Sequence, residues 1–316
     1  MTQPFRLFYA SDIHGSEKCF LKFVNAGKFY KAQALVLGGD ITGKMVVPLI
    51  RRGGRYEARF LGRDFSVESD AERAELEKLV RMNGFYPVAM SPEEHAHCLA
   101  DETARQALID RLILESVERW IAIAESRLAN TGIRCLINAG NDDEDYVDAA
   151  LRRSGVVENH DGGVVRLDDD LEMLICGYSN RTPFDSPREM DEPALEAHIR
   201  DIAAGLGNPA RTIFTLHVPP YNSGLDSAPL LEDGRIVTKG GHTVMAAVGS
   251  TAVRRIIEEM QPLLGLHGHV HESRAIRSIG RTLCINPGSE YSEGVLHGAL
   301  ITVGPRGIQG HQLVQA

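Results

Sequence analysis

The chain has 316 residues, of which 43% are hydrophobic, so it can bury one large core with an insertion or the cores of two domains. With 34 Lys and Arg against 43 Asp and Glu, its net charge is −9, which argues against a general binder of duplex nucleic acid. The five cysteines form no CxxC pair, and the sequence shows neither a secretory leader nor a run of ~18 apolar residues, so we predict free thiols and a cytoplasmic protein without a membrane partner.

The first predicted elements are a strand, a helix and a second strand. Phe5–Ala10 is a short apolar run that predicts a strand, and the polar sequence SDIHG follows it. Glu17–Lys28 has apolar residues at helical spacing, and Ala34–Leu37 predicts a strand that ends in GGD. Polar residues at the ends of both strands suggest a parallel sheet with a functional site at its carboxyl edge.

Residues 44–131 differ from this pattern, and we predict that they are an inserted, mostly helical cap within a single domain that spans residues 1–316. The sequence YEARFLGRDFSV predicts a small hairpin. Ser69–Met82 predicts an amphipathic helix with acidic residues in its early turns. Further helix is expected from Ser91 to about Ala129, with a break near Asp101.

Strands resume after the insertion, and the β-branched content of the second half suggests a second sheet packed on the first. The predicted strands are Ile133–Asn138, Val164–Leu167, Met173–Cys176, Thr212–Leu216, Leu263–Leu266, Leu296–Val303 and Ile308–Val314, with a hairpin around Ile279-Gly280-Arg281. We therefore predict an α/β fold with two packed sheets.

Seven potential metal ligands stand at the ends of predicted strands. They are Asp12 and His14 in SDIHG, Asp40 in GGD, Asn141 in AGND, His217 in LHVPP, and His269 and His271 in LHGHVHES. Most of these motifs, taken alone, are common turns or ordinary strand ends, and only the paired imidazoles of GHVH are unusual. Two carboxylates, one amide and four imidazoles together suit two divalent ions such as Mn, Fe, Zn or Co, whereas an all-oxygen set would suit Mg or Ca.

In this order, Asp12-x-His14, Gly39-Asp40, Gly140-Asn141, His217 and Gly268-His269-x-His271 resemble the signature of the calcineurin-like metallophosphoesterase superfamily. The resemblance implies a four-layer α/β sandwich of two packed mixed sheets. It also implies that Asp40 bridges two metal ions. The other ligands divide as Asp12, His14 and His271 on one ion, and Asn141, His217 and His269 on the other.

The resemblance further implies a dinuclear metal-dependent phosphohydrolase in which a metal-bridging hydroxide attacks phosphorus in line. Ser/Thr protein phosphatases have Asp-Arg-Gly after the Gly-Asp motif, and this chain lacks it after Gly39-Asp40. Purple acid phosphatases have a Tyr three residues after the motif's Asp, where this chain has Gly43. We therefore predict a phosphodiesterase acting on a small-molecule or nucleotide phosphoester. A nuclease on single-stranded nucleic acid and a metal-binding scaffold without turnover are the alternatives.

Asp142 departs from the family pattern, which commonly has His after Gly-Asn. An ionised Asp would repel an anionic substrate and could donate a proton only with a strongly raised pKa. We predict that it caps the helix beginning near Asp143 or orients Asn141, although a catalytic role stays open. His242, in the loop sequence KGGHT, is either a replacement proton donor or an ordinary loop histidine.

Two further stretches are candidate substrate contacts. The sequence VGSTAVRR predicts a helix capped by Ser250 or Thr251, whose N-terminus could attract phosphate with help from Arg254 or Arg255, unless it is a plain capped helix. The early insertion contains Lys44 and five arginines between residues 51 and 63, and it is either a solvated face or a site for additional phosphates. A homo-oligomer formed through the cap helices is a further possibility.

Overall fold

The computed structural model describes residues 4–232 and 234–316. About 31% of the chain is helix and 35% is strand, so the fold is mixed α/β, as the sequence indicates. The described residues form seven α-helices, which are α1 Glu17–Tyr30, α2 Asp70–Met82, α3 Pro92–Ala100, α4 Glu102–Leu128, α5 Asp145–Leu151, α6 Glu192–Ala203 and α7 Thr251–Met260. None of these helices is long and apolar enough to cross a membrane.

The strands of the described residues vary in length from two to nine residues. In chain order they are β1 Phe5–Ala10, β2 Ala34–Gly38, β3 Val46–Arg52, β4 Arg55–Phe60, β5 Arg63–Val67, β6 Tyr86–Met90, β7 Arg134–Asn138, β8 Val157–Glu158, β9 Gly163–Asp168, β10 Leu171–Cys176, β11 Ser179–Asn180, β12 Glu189–Met190, β13 Thr212–Leu216, β14 Ser227–Pro229, β15 Leu231–Glu232, β16 Arg235–Ile236, β17 Thr238–Lys239, β18 His242–Thr243, β19 Met245–Ala247, β20 Leu264–Leu266, β21 Ala275–Ile279, β22 Thr282–Asn286, β23 His297–Gly304 and β24 Gly307–Gln315. The seven strands and the hairpin predicted from the sequence all form.

Two six-stranded mixed sheets make up the body of the protein. The first has the strand order β24-β23-β1-β2-β7-β8, and the second has the order β21-β22-β20-β13-β10-β9. Strands β1, β2 and β7 are mutually parallel, and so are β10, β13, β20 and β22. The C-terminal hairpin β23–β24 joins the first sheet beside β1, so the second half of the chain contributes to both sheets.

Alternation along the strands places apolar side chains on both faces of each sheet. Leu7 of β1 and Met173 of β10 belong to one buried cluster that both sheets share. The opposite face of the first sheet packs on α1, α4 and α5, and Trp120 of α4 stacks on Phe20 of α1 with ring centroids 4.3 Å apart. The opposite face of the second sheet packs on α6 and α7. The sheets are therefore covered by helices on their outer faces.

The helix boundaries follow from their capping residues. Ser69 and Ser91 each accept from the backbone N–H three residues later and form a capping box with a glutamate, and Pro92 stands in the first turn of α3. Asp101 accepts from the backbone of Thr103 and Ala104, so it ends one helix and begins the next. These three boundaries confirm the predicted helix starts and the predicted break.

The inserted segment, residues 44–131, contains a four-stranded sheet as well as helices. Its strand order is β5-β4-β3-β6, and α2 packs on one of its faces. The hairpin β4–β5 was predicted, whereas β3 and β6 were missed because neither alternates clearly in sequence. Helix α4 packs on the first sheet rather than standing apart, so only part of the segment projects from the body. The domain boundaries stay a prediction.

The five cysteines are free thiols, as predicted from their spacing. Cys19, Cys135, Cys176 and Cys284 are buried, and Cys98 is partly exposed on α3. Burial raises the pKa of Cys135, Cys176 and Cys284 to about 12, so these thiols stay protonated and behave as small apolar side chains.

Candidate metal centre

The seven predicted ligands lie in the loops that follow five parallel strands. Loops after β1, β2 and β7 in the first sheet contribute four of them, and loops after β13 and β20 in the second sheet contribute three. Carboxyl ends of parallel strands meet at one edge, which is where α/β sheets place their sites. The two sheets also contact each other here, because His269 N donates to Asp12 Oδ1 at 2.9 Å.

The ligands form two groups of three. Within each group, the candidate ligand atoms all lie within 4.8 Å of one another. One group contains Asp12, His14 and His271, and the other contains Asp40, His217 and His269. Asn141 joins the second group, since its Oδ1 lies 2.7 Å from His269 Nδ1. This division matches the one that the family resemblance implies.

Asp40 lies between the two groups. Its Oδ2 is 3.3 Å from His217 Nε2 in the second group and 3.9 Å from His14 Nε2 in the first. The groups are also close elsewhere, because His217 Nε2 lies 3.8 Å from Asp12 Oδ1. The same oxygen, Oδ2, therefore faces both groups, as the oxygen of a bridging ligand would, and Oδ1 accepts from the Asp142 backbone N–H.

Four of the ligands have a backbone conformation that non-glycine residues rarely adopt. The φ angles are 56° at Asp12, 38° at His14, 47° at Asp40 and 64° at His269. Left-handed backbone at several residues of one site is a form of local strain that clusters at functional sites.

Two glycines allow these loops to approach closely. A Cβ on Gly140 would stand 2.2 Å from Asp40 Oδ1, and one on Gly268 would stand 2.3 Å from Asp12 Oδ2. Larger residues at either place would push the carboxylates out of the centre. Steric crowding therefore explains why glycine precedes Asn141 and His269 in the sequence.

Several polar atoms of the centre are acceptors that lack a hydrogen-bond donor and could instead coordinate cations. Asp12 Oδ2 and His217 Nε2 are buried and have no hydrogen-bond partner in the described part of the chain. His14 Nε2 and His271 Nε2 are only 3.2 Å apart. His217 Nδ1 donates to the Gly38 carbonyl oxygen at 3.1 Å, which leaves Nε2 free to coordinate. Buried lone pairs with no donor fit divalent ions.

The pKa values of the carboxylates and histidines in the centre depend on burial and on the charges of their neighbours. Burial opposes charge on Asp40, but His217, His14 and His269 together outweigh burial and hold the pKa of Asp40 well below its usual range. Burial likewise opposes protonation of His217, yet Asp40 and Asp12 raise the pKa of His217 to about 9. Burial, followed by the charge of His217, lowers the pKa of His269 to about 4.

Cation uptake should therefore depend on pH. A histidine must lose its proton to coordinate a metal ion, and the metal-free protein holds that proton on His217 up to about pH 9. We expect the affinity for Mn²⁺ to rise steadily from pH 6.5 to pH 9, with net proton release at pH 7.5. Isothermal titration calorimetry in buffers of different ionisation enthalpy measures both quantities. A pH-independent affinity without proton release would contradict the coupling.

Asp143, which the sequence did not single out, organises the loops that hold two ligands. It is fully buried and accepts from Ile41 N at 3.0 Å, Thr42 N at 2.8 Å and Gly140 N at 2.8 Å. These donors flank Asp40 and Asn141, so one carboxylate fixes both loops. Burial, followed by the charge of Asp40, raises the pKa of Asp143.

Replacing Asp143 with Asn should weaken metal binding without removing a ligand. The amide keeps the shape but has one acceptor oxygen instead of two, so part of the tie between the loops is lost. We expect a loss of about 10–100-fold in Mn²⁺ affinity, the usual effect of removing an outer-shell partner. Competition with a fluorescent chelator measures it, and Asp142→Asn is the matched neighbour. Wild-type affinity in Asp143→Asn would show that the tie is dispensable.

Asp142 does not cap a helix, which was one of its two predicted structural roles; the other, orienting Asn141, stays a prediction. Helix α5 begins at Asp145, and its N-cap, Glu144, makes no side-chain capping bond. Instead, Asp142 Oδ1 accepts from Lys44 Nζ at 2.6 Å, and Oδ2 lies 3.9 Å from His14 Nδ1. The chain turns so that Asp143 points inward and Asp142 outward. Its backbone N–H also donates to Asp40 Oδ1 at 2.9 Å.

The predicted phosphate contact at α7 is already paired within the protein. Ser250 caps the helix, as predicted, but its Oγ donates to Glu192 Oε2 at 2.7 Å. The N–H groups of Thr251 and Ala252 also donate to the Glu192 carboxylate, at 3.0 and 2.8 Å. A carboxylate thus takes the place that a phosphate would need. The structure therefore does not support this contact, which sequence alone could not reveal because Glu192 comes from another helix.

The remaining candidates also lie apart from the centre. Arg254 pairs with Glu258 and reaches the carbonyl oxygens of Tyr221 and Asn222. His242 is exposed in the short strand β18, where it pairs with Lys239. None of the contacts of the described residues joins either side chain to the metal ligands, so both roles stay predictions.

Tyr291 and Ser289 border the centre and were not expected to act there. The Tyr291 ring centroid lies 4.7 Å from that of His14 and 5.9 Å from that of His271. Ser289 Oγ donates to the Asp12 carbonyl oxygen at 2.6 Å. Both follow β22 in the sequence NPGSEY, whose Asn286 donates to three loop carbonyls and is structural. An aromatic residue soon after a strand end was the available signal.

Comparison with known proteins supports the fold and leaves the activity open. No protein-family model matches the chain. Uncharacterized protein MJ1162 of Methanocaldococcus jannaschii is 32% identical over 126 residues, which is 39% of this chain and 50% of that protein, so the match spans half of the relative. One crystal structure matches with a TM-score of 0.60 and 16% identity over 99% of both chains. The structure of TT1561 of Thermus thermophilus matches with a TM-score of 0.53 and 12% identity, also over 99% of both. At these identities the two structures share the fold alone.

Proposed function

We propose that the protein is a metal-dependent phosphohydrolase that uses two divalent ions, with a preference for phosphodiesters. The observation that supports this most is the pair of three-residue ligand groups with Asp40 between them. In the proposal the enclosing fold is the four-layer sandwich of the calcineurin-like superfamily, and the partner is a small phosphoester. The inserted segment is its cap.

Divalent ions bound at this centre would supply a nucleophile from water near neutral pH and would neutralise charge on the phosphoryl oxygens. The carboxylates of the protein would hold these ions in place. Asp40 and Asp12 are ionised, and their negative charge favours cations at two adjacent positions. Asn141 contributes an oxygen without charge, which keeps the centre net positive toward an anionic substrate once it is loaded.

Asp142 stands where many family members have a histidine, and its carboxylate pairs with Lys44. Their ion pair puts an ammonium 2.6 Å from a carboxylate that immediately follows Asn141. The Lys44 side chain is 41% exposed, so it is accessible to a substrate. The ion pair does not provide an imidazole to protonate the leaving group. Leaving groups that depart readily as anions should therefore react best.

The experiment compares bis(p-nitrophenyl) phosphate with p-nitrophenyl phosphate, using metal-stripped protein to which Mn²⁺ is restored. We expect hydrolysis of both only with added metal, and a clearly higher kcat/KM for the diester. Fe²⁺, Zn²⁺ and Co²⁺ are tested in parallel. Hydrolysis of neither ester with any of these ions would overturn the proposal, and a faster monoester would overturn its diesterase part.

A further inference from the structure

Two adjacent cavities lie on the inserted segment. The larger has a volume of about 570 Å³ and lies over β3, β4 and β5. The smaller has a volume of about 250 Å³ and lies between β3, β6 and the helices α3 and α4. Pro48 and His95 line both cavities, so the two are neighbours. We call the combined space the insert groove.

The groove exists because α2 covers only one face of the four-stranded sheet. Val47 and Leu49 of β3 are buried against α2 together with Leu76 and Val80. The alternate residues of β3, which are Pro48, Ile50 and Arg52, line the groove. On β4 the groove face contains Arg55, Glu57 and Arg59. Strand alternation thus separates an apolar face from an open face with three arginines.

Positive charge is in excess on the open face. Arg52 and Arg55 lie 3.9 and 3.2 Å from Glu57, and Arg59 lies 3.9 Å from Asp64. Three guanidinium groups therefore face two carboxylates. The arginine side chains are 53–77% exposed, so they are free to move toward a ligand. In a chain of net charge −9, this local reversal is suited to an anion.

The smaller cavity is mainly apolar and lies between the arginines and the metal centre. Its apolar lining consists of Val46, Pro48, Met90, Leu99, Leu108 and Ile109. Its charged lining residues are Lys44 and Arg105. An organic group would find apolar contact here and cationic groups at both ends.

Lys44 connects the groove to the metal centre. It lines the smaller cavity, and its Nζ lies 2.6 Å from Asp142 Oδ1. Asp142 in turn donates its backbone N–H to Asp40 Oδ1. From this end, β3 extends from Val46 to Arg52, which is ~20 Å of strand. A ligand that contacts both the centre and the arginines must therefore be elongated.

We propose that the insert groove binds one ester arm of the substrate, and that the substrate is an elongated phosphodiester whose arm has an apolar middle and a distal anionic group. This inference rests on the proposed function, since it places the scissile phosphate at the metal centre. The apolar part of the arm lies in the smaller cavity, and the distal anion pairs with Arg52 and Arg55, which face each other at the far end of β3. Longer arms reach the arginines, and short arms do not.

The test uses p-nitrophenyl phosphodiesters whose second arm is an alkyl chain, either short or long, that ends in a carboxylate or a methyl group. For long arms, we expect kcat/KM to be about tenfold higher with the carboxylate than with the methyl group, a usual gain for one charged hydrogen bond. For short arms, we expect a ratio near one. The double variant Arg52→Gln/Arg55→Gln should reduce the long-arm ratio to near one, and Glu57→Gln should increase it.

Arg51→Gln/Arg63→Gln is the matched control. Both arginines are exposed on the same sheet, and neither lines the groove, so the long-arm ratio should stay at the wild-type value. Equal kcat/KM values for the carboxylate and methyl long-arm diesters, with metal-dependent turnover of both, would contradict substrate binding in the groove. The proposed function would not be contradicted by that result. If the control variant also reduced the long-arm ratio of kcat/KM to near one, substrate binding in the groove would likewise be contradicted.

Binding of the long-arm diesters to metal-stripped protein tests the groove without turnover. The carboxylate arm should bind about tenfold more tightly than the methyl arm, and Arg52→Gln/Arg55→Gln should remove the difference. Equal binding would overturn the groove. If no diester is hydrolysed with any metal but the binding difference is present, the proposed function fails while the anion site is retained.

Discussion

Replacing Asp40 with Asn should abolish metal-dependent hydrolysis, with a fall in kcat/KM of at least about 10³-fold, or about 4 kcal/mol. Asp40 lies between the two ligand groups, and its Oδ2 is 3.3 Å from His217 Nε2 in one group and 3.9 Å from His14 Nε2 in the other. Asparagine is chosen because it tolerates the left-handed backbone found at this residue, where φ is 47°. The variant should therefore fold, and its calorimetric stoichiometry for Mn²⁺ should drop below two.

Asp201→Asn is the control for this substitution. Asp201 is an exposed residue of α6, far in sequence from the ligand loops, and the same chemical change there should leave turnover at the wild-type rate. Metal-dependent activity within tenfold of wild type in Asp40→Asn would show that Asp40 does not bridge the ions. Unchanged activity without any metal would contradict the proposed chemistry altogether.

Replacing Arg188 with Met should lower the free energy of unfolding by about 3–5 kcal/mol, the usual cost of leaving a buried charge without its partner. Arg188 is 2% exposed. Its guanidinium contacts Asp161, lies 3.3 Å from Asp148 Oδ2, and stands 4.6 Å from the centre of the Tyr178 ring. Its backbone N–H donates to the Asn141 carbonyl oxygen, so the same residue supports a ligand loop.

The loss should be greater at pH 8 than at pH 5. Burial raises the pKa of Asp148, and the charge of Arg188 opposes that shift. Without Arg188, the folded-state pKa rises further above the unfolded value, so stability falls as pH increases and the carboxyl must ionise. Urea unfolding of metal-stripped protein at both pH values measures this, because bound ions would otherwise add to stability.

Two further variants separate charge from packing. Adding Asp148→Asn and Asp161→Asn to Arg188→Met should recover much of the loss, since no unpaired charge then remains buried. Arg181→Ala is the surface control, because that side chain is 65% exposed and should cost at most about 0.5 kcal/mol. A similar loss in both arginine variants, or no recovery in the triple variant, would assign the effect to packing.

The residues of the two candidate ligand groups could be identified from the sequence, whereas the residues around them could not. Ligand identity depends on residue type at strand ends, and the apolar runs before Asp12, Asp40 and His217 mark those ends clearly. Helix starts at Ser69 and Ser91 were also predictable, because a capping box is local in sequence. Local signals of this kind do not depend on the rest of the fold.

What the sequence could not show depends on direction and on distant partners. Asp142 and Asp143 are adjacent and chemically identical, and only the turn of the backbone sends one into the core and the other toward Lys44. The carboxylate on the first turn of α7 comes from Glu192, almost sixty residues earlier. Pairing of β23 with β1 joins opposite ends of the chain. Tertiary contacts of this kind leave no periodic pattern.

The left-handed backbone at Asp12, His14, Asp40 and His269 has a consequence for the evolution of this chain. Each such residue costs of order 1–3 kcal/mol in folding free energy, which glycine would recover without changing the fold. A lineage that no longer needed the ions would gain stability by exchanging these side chains for glycine. Keeping these four side chains therefore costs stability, which the proposed metal-dependent activity would justify.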